Sequence, residues 1–190
     1  AVKVQVLTAS SLVAPGAPAP VHVDATSLVD FFRRFELADE AYARIATRAR
    51  ARGLAFVATP LSLEAVDLLE RIGVDAYKIA SGDLTWETLV RRCAATGKPM
   101  VLSTGMATLV EVHRALLWAR RGAAAGVGVL HCVSSYPVPK GSENLRAIAT
   151  LGLACDAPVG LSDHGADASA VPLAVAMGAA IYERHLVLSA

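Results

Sequence analysis

The sequence predicts a parallel α/β fold, a (β/α)8 TIM barrel lacking its first βα unit within these residues. Seven strand-like runs recur along the chain, and every one closes on polar side chains. From Thr59 through Ser81, Ser103, His131 and Ser162 to His185 those polar ends are spaced by roughly 22 to 31 residues, the length of one βα unit. No Gly-rich phosphate turn follows the first run, although an open doubly wound sheet would gather its ligand residues at such a switch point. Polar ends on every strand suit a barrel, whose site is assembled from all the C-terminal strand ends. A barrel needs eight strands, so one βα unit is expected to precede residue 1.

The first run, Ala-Val-Lys-Val-Gln-Val (residues 1–6), alternates so that Lys3 and Gln5 share one face and Val2, Val4 and Val6 the other. A strand covered on both faces disfavours an unpaired ammonium by several kcal/mol, so an anionic group is expected to meet Lys3. The alternative is a solvated Lys3 at a chain end. Residues 9–24, rich in Pro and Ala, read as an exposed irregular excursion. Residues 37–50 have helical period, with one apolar and one arginine-rich face.

The second run, residues 56–60, ends at Thr59, and the third, residues 75–83, carries Lys78 on one face with Ala76 and Ala80 and ends at Ser81. Lys78 lies inside an apolar run, which strengthens the case for a buried cation facing an anion. Lys98 precedes the fourth run, residues 100–105, and belongs to the stability face of a barrel. Thr108 and Glu111 form a capping box that opens a helix towards Arg121. The fifth run, residues 127–135, holds His131 with the inward parity of Val129. Residues 158–164 and 180–185 end in His164 and His185. Gly53, Gly73, Gly97, Gly122 and Gly178 fall where helices should stop, and residues 168–182 read as a buried helix followed by a strand.

Composition narrows the function. With 190 residues, 54% of them hydrophobic, the chain can bury one sizeable core, and no linker divides it. A formal charge of +1 gives no footprint for nucleic acid or an anionic membrane surface. The uncharged stretch at residues 168–182, interrupted by Pro172 and Gly178, is shorter than the roughly 20 residues of a membrane span. Cys93, Cys132 and Cys155 form neither a Cys-x-x-Cys motif nor a disulfide framework, which points to a reducing compartment and a cytoplasmic location.

Thr59, Ser81, Ser103 and Ser162 end four different strands. One such hydroxyl alone would be a turn or cap residue. Four on one rim, with two lysines, form a cradle for phosphate or carboxylate, because hydroxyls and N–H groups donate to anionic oxygens while lysine neutralises them. His22 and His113 have no partner pattern and read as surface residues, whereas His131 is either a site residue or a hydrogen-bonded core histidine. His164 and His185 end adjacent strands and could reach one metal ion, leaving positions open for substrate oxygen. Glu183 shares parity with His185 and could orient a ligand.

Eight motifs, in order along the chain, resemble the N-acetylneuraminate (sialic acid) synthase family, with its pseudaminic and legionaminic acid synthases and spore coat polysaccharide relatives. They are Ala-Val-Lys-Val-Gln, Thr-Pro-Leu-Ser-Leu-Glu-Ala-Val-Asp, Tyr-Lys-Ile-Ala-Ser-Gly-Asp, Leu-Ser-Thr-Gly-Met-Ala-Thr, Leu-His-Cys-Val-Ser-Ser-Tyr-Pro, Asn-Leu-Arg-Ala-Ile, Gly-Leu-Ser-Asp-His and Glu-Arg-His. The resemblance implies a barrel transferase that condenses phosphoenolpyruvate with an open-chain N-acetylhexosamine, with Mn2+ or Mg2+ as cofactor. It places Lys3, Thr59, Lys78, Ser81, Ser103, Ser134 and Ser162 around phosphoenolpyruvate, His164 and His185 on the metal, and Gln5, Asp83 and Tyr136 at the sugar. The implied chemistry has the metal polarise the sugar aldehyde, C3 of phosphoenolpyruvate attack it, and water add at C2 before phosphate leaves.

The resemblance also implies an acidic base on the family's first strand, a C-terminal antifreeze-like domain, and a homodimer at full length. Neither the base nor that domain has a counterpart in residues 1–190. Val138 stands where the family has Thr, and Leu186-Val187 where it has Phe-Thr, departures that bear on the acceptor. Two alternatives stay open: another phosphoenolpyruvate-using sugar-acid synthase on the same fold, and a non-catalytic barrel remnant that binds an anion.

Overall fold

The computed structural model describes residues 1–18 and 27–187, and the chain divides into two compact units, Ala1–Lys78 and Ile79–Ala190. Both are parallel α/β. His22 and the end of the expected excursion, residues 19–24, lie outside the described residues.

The first unit runs β1 (Val2–Val6), α1 (Ala9–Leu12), α2 (Leu28–Arg33), α3 (Asp39–Arg50), β2 (Phe56–Pro60), α4 (Leu63–Ile72) and β3 (Ala76–Ile79). The stretch expected to be irregular thus opens with a helical turn, whose Ala9 N–H donates to the Glu36 carboxylate. β2 pairs in parallel with β1 on one side and β3 on the other. Residues opposite one another in a parallel pair point to the same face, so Lys3↔Val57, Gln5↔Thr59 and Val57↔Ala76 put Lys3, Gln5, Thr59 and Lys78 on one face. Val2, Val4, Val6, Phe56, Ala58 and Tyr77 take the other. That second face is covered by helix: the Tyr77 hydroxyl donates to Glu70 Oε1 on α4 at 2.6 Å, and α4 buries Val66 and Leu69. Each fully buried Phe, Leu or Val contributes about 1.5–3 kcal/mol. α4 begins at Ser62, whose Oγ accepts the Ala65 N–H, and ends at Gly73, whose φ of 80° is the left-handed conformation that glycine adopts without strain.

One expectation needs correction here. Lys78 is buried, at 4% exposure, but Lys3 is only half-buried.

The second unit contains a 3₁₀ turn (Ser81–Asp83), α5 (Glu87–Ala94), β4 (Met100–Ser103), α6 (Leu109–Arg121), β5 (Val127–Cys132), α7 (Arg146–Cys155), β6 (Val159–Asp163), α8 (Ala170–Ala176) and β7 (Ile181–Arg184). β4, β5, β6 and β7 pair in that order, all parallel. Register places Ser103, Leu130, Cys132, Gly160, Ser162, Ile181 and Glu183 on one face, and Leu102, Val129, His131, Leu161, Asp163 and Arg184 on the other. The second face lies under helix, because the Val159 side chain on it sits against Gly152 of α7. His131 is therefore not on the face of Ser103 and Ser162. It takes the alternative, a buried histidine whose Nε2 meets the Glu143 carbonyl at 2.8 Å.

α6 opens with the expected capping box: the Thr108 hydroxyl accepts the Glu111 N–H, and Glu111 Oε2 accepts the Thr108 N–H at 2.7 Å. Such a cap stabilises a helix by about 0.5–2 kcal/mol. α8 departs from its reading as a buried helix: Ala170 and Ala174 are buried, but Leu173 and Val175 face outward.

Candidate active site

In the first unit Lys3, Gln5, Thr59 and Lys78 share one sheet face, opposite Phe56 and Tyr77. The Thr59 hydroxyl is buried without a hydrogen-bond partner. An orphaned buried hydroxyl is unfavourable by about 1–3 kcal/mol, and the deficit is removed when a ligand atom supplies the missing bond.

In the second unit three serines gather at the C-terminal end of β4. The Ser81 Oγ accepts the Gly105 N–H at 3.0 Å. A Cβ on residue 105 would stand 2.9 Å from the Ser81 Oγ and collide with the Ser134 Oγ, so the two hydroxyls approach the Gly105 backbone from different loops. Two residues earlier, Ser103 is 2% exposed and its Oγ has no partner. On the same sheet face, the Ser162 Oγ donates to Glu183 Oε1 at 3.4 Å. This part of the molecule is rich in hydroxyl and amide donors, the donor set that suits phosphate or carboxylate oxygens. Asp83 closes the 3₁₀ turn begun by Ser81, and burial pushes its carboxyl above the ordinary value.

His164 follows β6 and His185 follows β7, and their ring centroids are 5.3 Å apart. The Tyr136 ring lies 4.3 Å from His164 and 6.2 Å from His185. Its loop is held there by the Val138 N–H, which donates to the His164 carbonyl at 3.0 Å. Cys132 Sγ lies 3.7 Å from His164 Nδ1. Burial pushes the Tyr136 hydroxyl above its ordinary value, with Cys132 and Glu183 acting in the same direction.

The divalent metal implied by the sequence fits this pair. Imidazole nitrogen binds first-row ions at about 2.0–2.1 Å, and rings this close can share one ion. Among the described residues no group of three or more His, Cys, Asp or Glu is arranged to hold a metal.

His113 is exposed on α6 and meets the Ala154 carbonyl at 2.8 Å, away from both clusters. A cavity of about 580 Å³ is lined in part by Thr104, His131, Cys132, Ser134, Asn144 and Arg146, so it reaches both His131 and the serine cluster. Sequence reasoning passed over Gly105 and Cys132. The glycine in Ser-Thr-Gly at a strand end was the available signal for close backbone approach.

Comparison with known proteins gives a consistent picture. The sequence model of the NeuB family matches residues 1–190. An uncharacterised protein of Methanocaldococcus jannaschii is 41% identical over 159 residues, which cover 84% of this chain and 47% of that protein. The N,N'-diacetyllegionaminic acid synthase of Campylobacter jejuni is 36% identical over 164 residues, covering 85% of this chain and 49% of the synthase. Among solved structures, the N-acetylneuraminic acid (sialic acid) synthetase of Leptospira borgpetersenii, crystallised with citrate, superposes with a TM-score of 0.85 at 30% identity. That match covers 97% of this chain and 62% of the synthetase. The chain spans about half the length of the curated relatives it matches.

Proposed function

The chain belongs to the NeuB family, and on that premise we propose that it condenses phosphoenolpyruvate with an open-chain N-acetylhexosamine to give a nonulosonic acid and inorganic phosphate. The observation that carries this reading is the unpartnered buried hydroxyl of Ser103, two residues from the Gly105 amide where Ser81 and Ser134 converge. Hydroxyls held apart from partners in the folded protein are poised to donate to anionic oxygens, and phosphoenolpyruvate carries both a phosphate and a carboxylate.

Ser81, Ser103 and Ser134 donate to those oxygens, and Lys3, Thr59, Lys78 and Ser162 take phosphoenolpyruvate-binding roles, the lysines neutralising its charge. Gln5, Asp83 and Tyr136 contact the acceptor. Burial raises the Asp83 carboxyl above its ordinary value, and its oxygens are available to a sugar hydroxyl. His164 and His185 hold the divalent ion, Mn2+ or Mg2+, which supplies a Lewis acid for the acceptor aldehyde. C3 of phosphoenolpyruvate forms the new C–C bond to the aldehyde carbon, water adds at C2, and phosphate departs with the bridging oxygen. No acidic base is assigned among these residues.

The same reading takes the fold to be of the TIM-barrel type and places the protein in the cytoplasm as a homodimer. The three cysteines, all buried and outside any Cys-x-x-Cys motif, support a reducing compartment. No helix among the described residues is long and apolar enough to cross a membrane. The test is an assay of the protein at its natural length with phosphoenolpyruvate, Mn2+ and a panel of N-acetylated hexoses, following phosphate release and product mass. Condensation with one or more of these sugars is expected; phosphoenolpyruvate left intact with every acceptor would overturn the reading.

A further inference from the structure

The last residues of β6 and β7, Asp163 and Arg184, are paired in register, and each is followed directly by one of the two histidines. Their side chains lie on the face covered by helix, opposite Ser162 and Glu183. They therefore take no direct part in the hydroxyl-lined side of the sheet. Asp163 is 4% exposed, and its Oδ2 accepts from Arg184 and from the Tyr182 hydroxyl, each at 2.7 Å. Its Oδ1 accepts the Gly165 N–H at 2.8 Å. Arg184 then reaches across the turn after β6, donating to the Gly165 carbonyl at 3.0 Å and the Asp167 carbonyl at 2.5 Å. One guanidinium on β7 thus grips the backbone on the far side of His164 while the adjacent residue, His185, leaves the same strand.

We propose that Asp163 and Arg184 are positioning residues that set the spacing of the His164 and His185 rings and so tune the protein's affinity for a divalent metal. A buried ion pair is weak ground for stability, because apolar groups of equal volume serve as well. Its distinctive property is directional: a planar guanidinium with several fixed N–H donors locks the relative positions of everything it bonds. Here those partners are the β6 end and the 163–167 turn. Two imidazoles alone bind a metal only as well as their spacing is maintained, and outer groups that orient ligands typically change metal affinity roughly 10–100-fold. This inference rests on the metal role proposed for the two histidines.

The test is Mn2+ titration of the natural-length protein, read by electron paramagnetic resonance, on Asp163→Asn, Arg184→Met and the milder Tyr182→Phe, with His185→Ala as reference. Thermal melts without metal check that each variant is folded. Asp163→Asn and Arg184→Met should lower Mn2+ affinity roughly 10–100-fold, with the double variant no worse than either alone because the pair acts as one clamp. Tyr182→Phe should give a smaller loss in the same direction, and it decides the matter if the other two do not fold. Wild-type Mn2+ affinity in folded clamp variants, with binding abolished in His185→Ala, would overturn the clamp and leave the metal site standing. Wild-type affinity in His185→Ala as well would overturn the metal reading and the clamp with it.

Discussion

The Gly105 N–H donates to the Ser81 hydroxyl at 3.0 Å, and no side chain at residue 105 could coexist with that contact, since a Cβ would lie 2.9 Å from the same oxygen. The requirement is for close approach rather than for a positive φ. Gly105→Ala should therefore push Ser81 and Ser134 apart, destabilise the fold by about 1–3 kcal/mol, and weaken phosphoenolpyruvate binding about tenfold or more. Calorimetric titration with phosphoenolpyruvate, beside a thermal melt, measures both.

Ser103 makes the opposite prediction for stability. Its buried hydroxyl lacks a partner, so Ser103→Ala removes an unfavourable burial and should leave the ligand-free protein as stable or more stable by about 1 kcal/mol. The same change should weaken phosphoenolpyruvate binding by about 1.5–3 kcal/mol, the contribution of a hydrogen bond to a charged group. Stability and affinity moving in opposite directions identify a hydroxyl reserved for ligand; a stability loss without an affinity change would identify a packing residue.

Lys78 is the buried cation of the first unit. Lys78→Met keeps the length of the side chain and removes its charge, so the fold should survive while phosphoenolpyruvate affinity falls by about 2–5 kcal/mol. Circular dichroism and ligand titration on the same sample check the two halves of this statement.

Asp83 gives a pH dependence with a definite sign. Burial raises its folded-state carboxyl above the ordinary aspartate value. A raised folded value means that its favourable contribution is complete below the unfolded value and is lost as pH rises through the folded one. Asp83→Asn, which cannot ionise, should thus be more stable than the parent at neutral pH, with the difference vanishing as pH falls below about 4. Thermal melts of both proteins across that range measure it.

Much of this was legible in the sequence because each element carried a local signal. The Thr108–Glu111 box marked its helix start, and the apolar run around Lys78 marked it as buried. Where the signal was tertiary, the reading failed. His131 alternates correctly with Val129, but parity within one strand does not say which face a helix covers; the register with β6 and the position of α7 decide that. The end of α7 was missed because Asp156, not glycine, adopts the left-handed conformation there, at φ 43°. Lys3 is half-buried although it stands among valines, so strand composition alone does not say how much water a strand residue keeps. Likewise the Arg184 grip on the 163–167 turn joins residues on neighbouring strands and has no sequence pattern of its own.

The central claim is tested most directly by following the bridging oxygen of phosphoenolpyruvate. With heavy oxygen at that position, Mn2+ and an N-acetylated hexose, the account predicts that the label leaves in inorganic phosphate and that the new acid takes its C2 oxygen from water. Label retained in the acid product, or phosphoenolpyruvate left unconsumed across the acceptor panel, would contradict it.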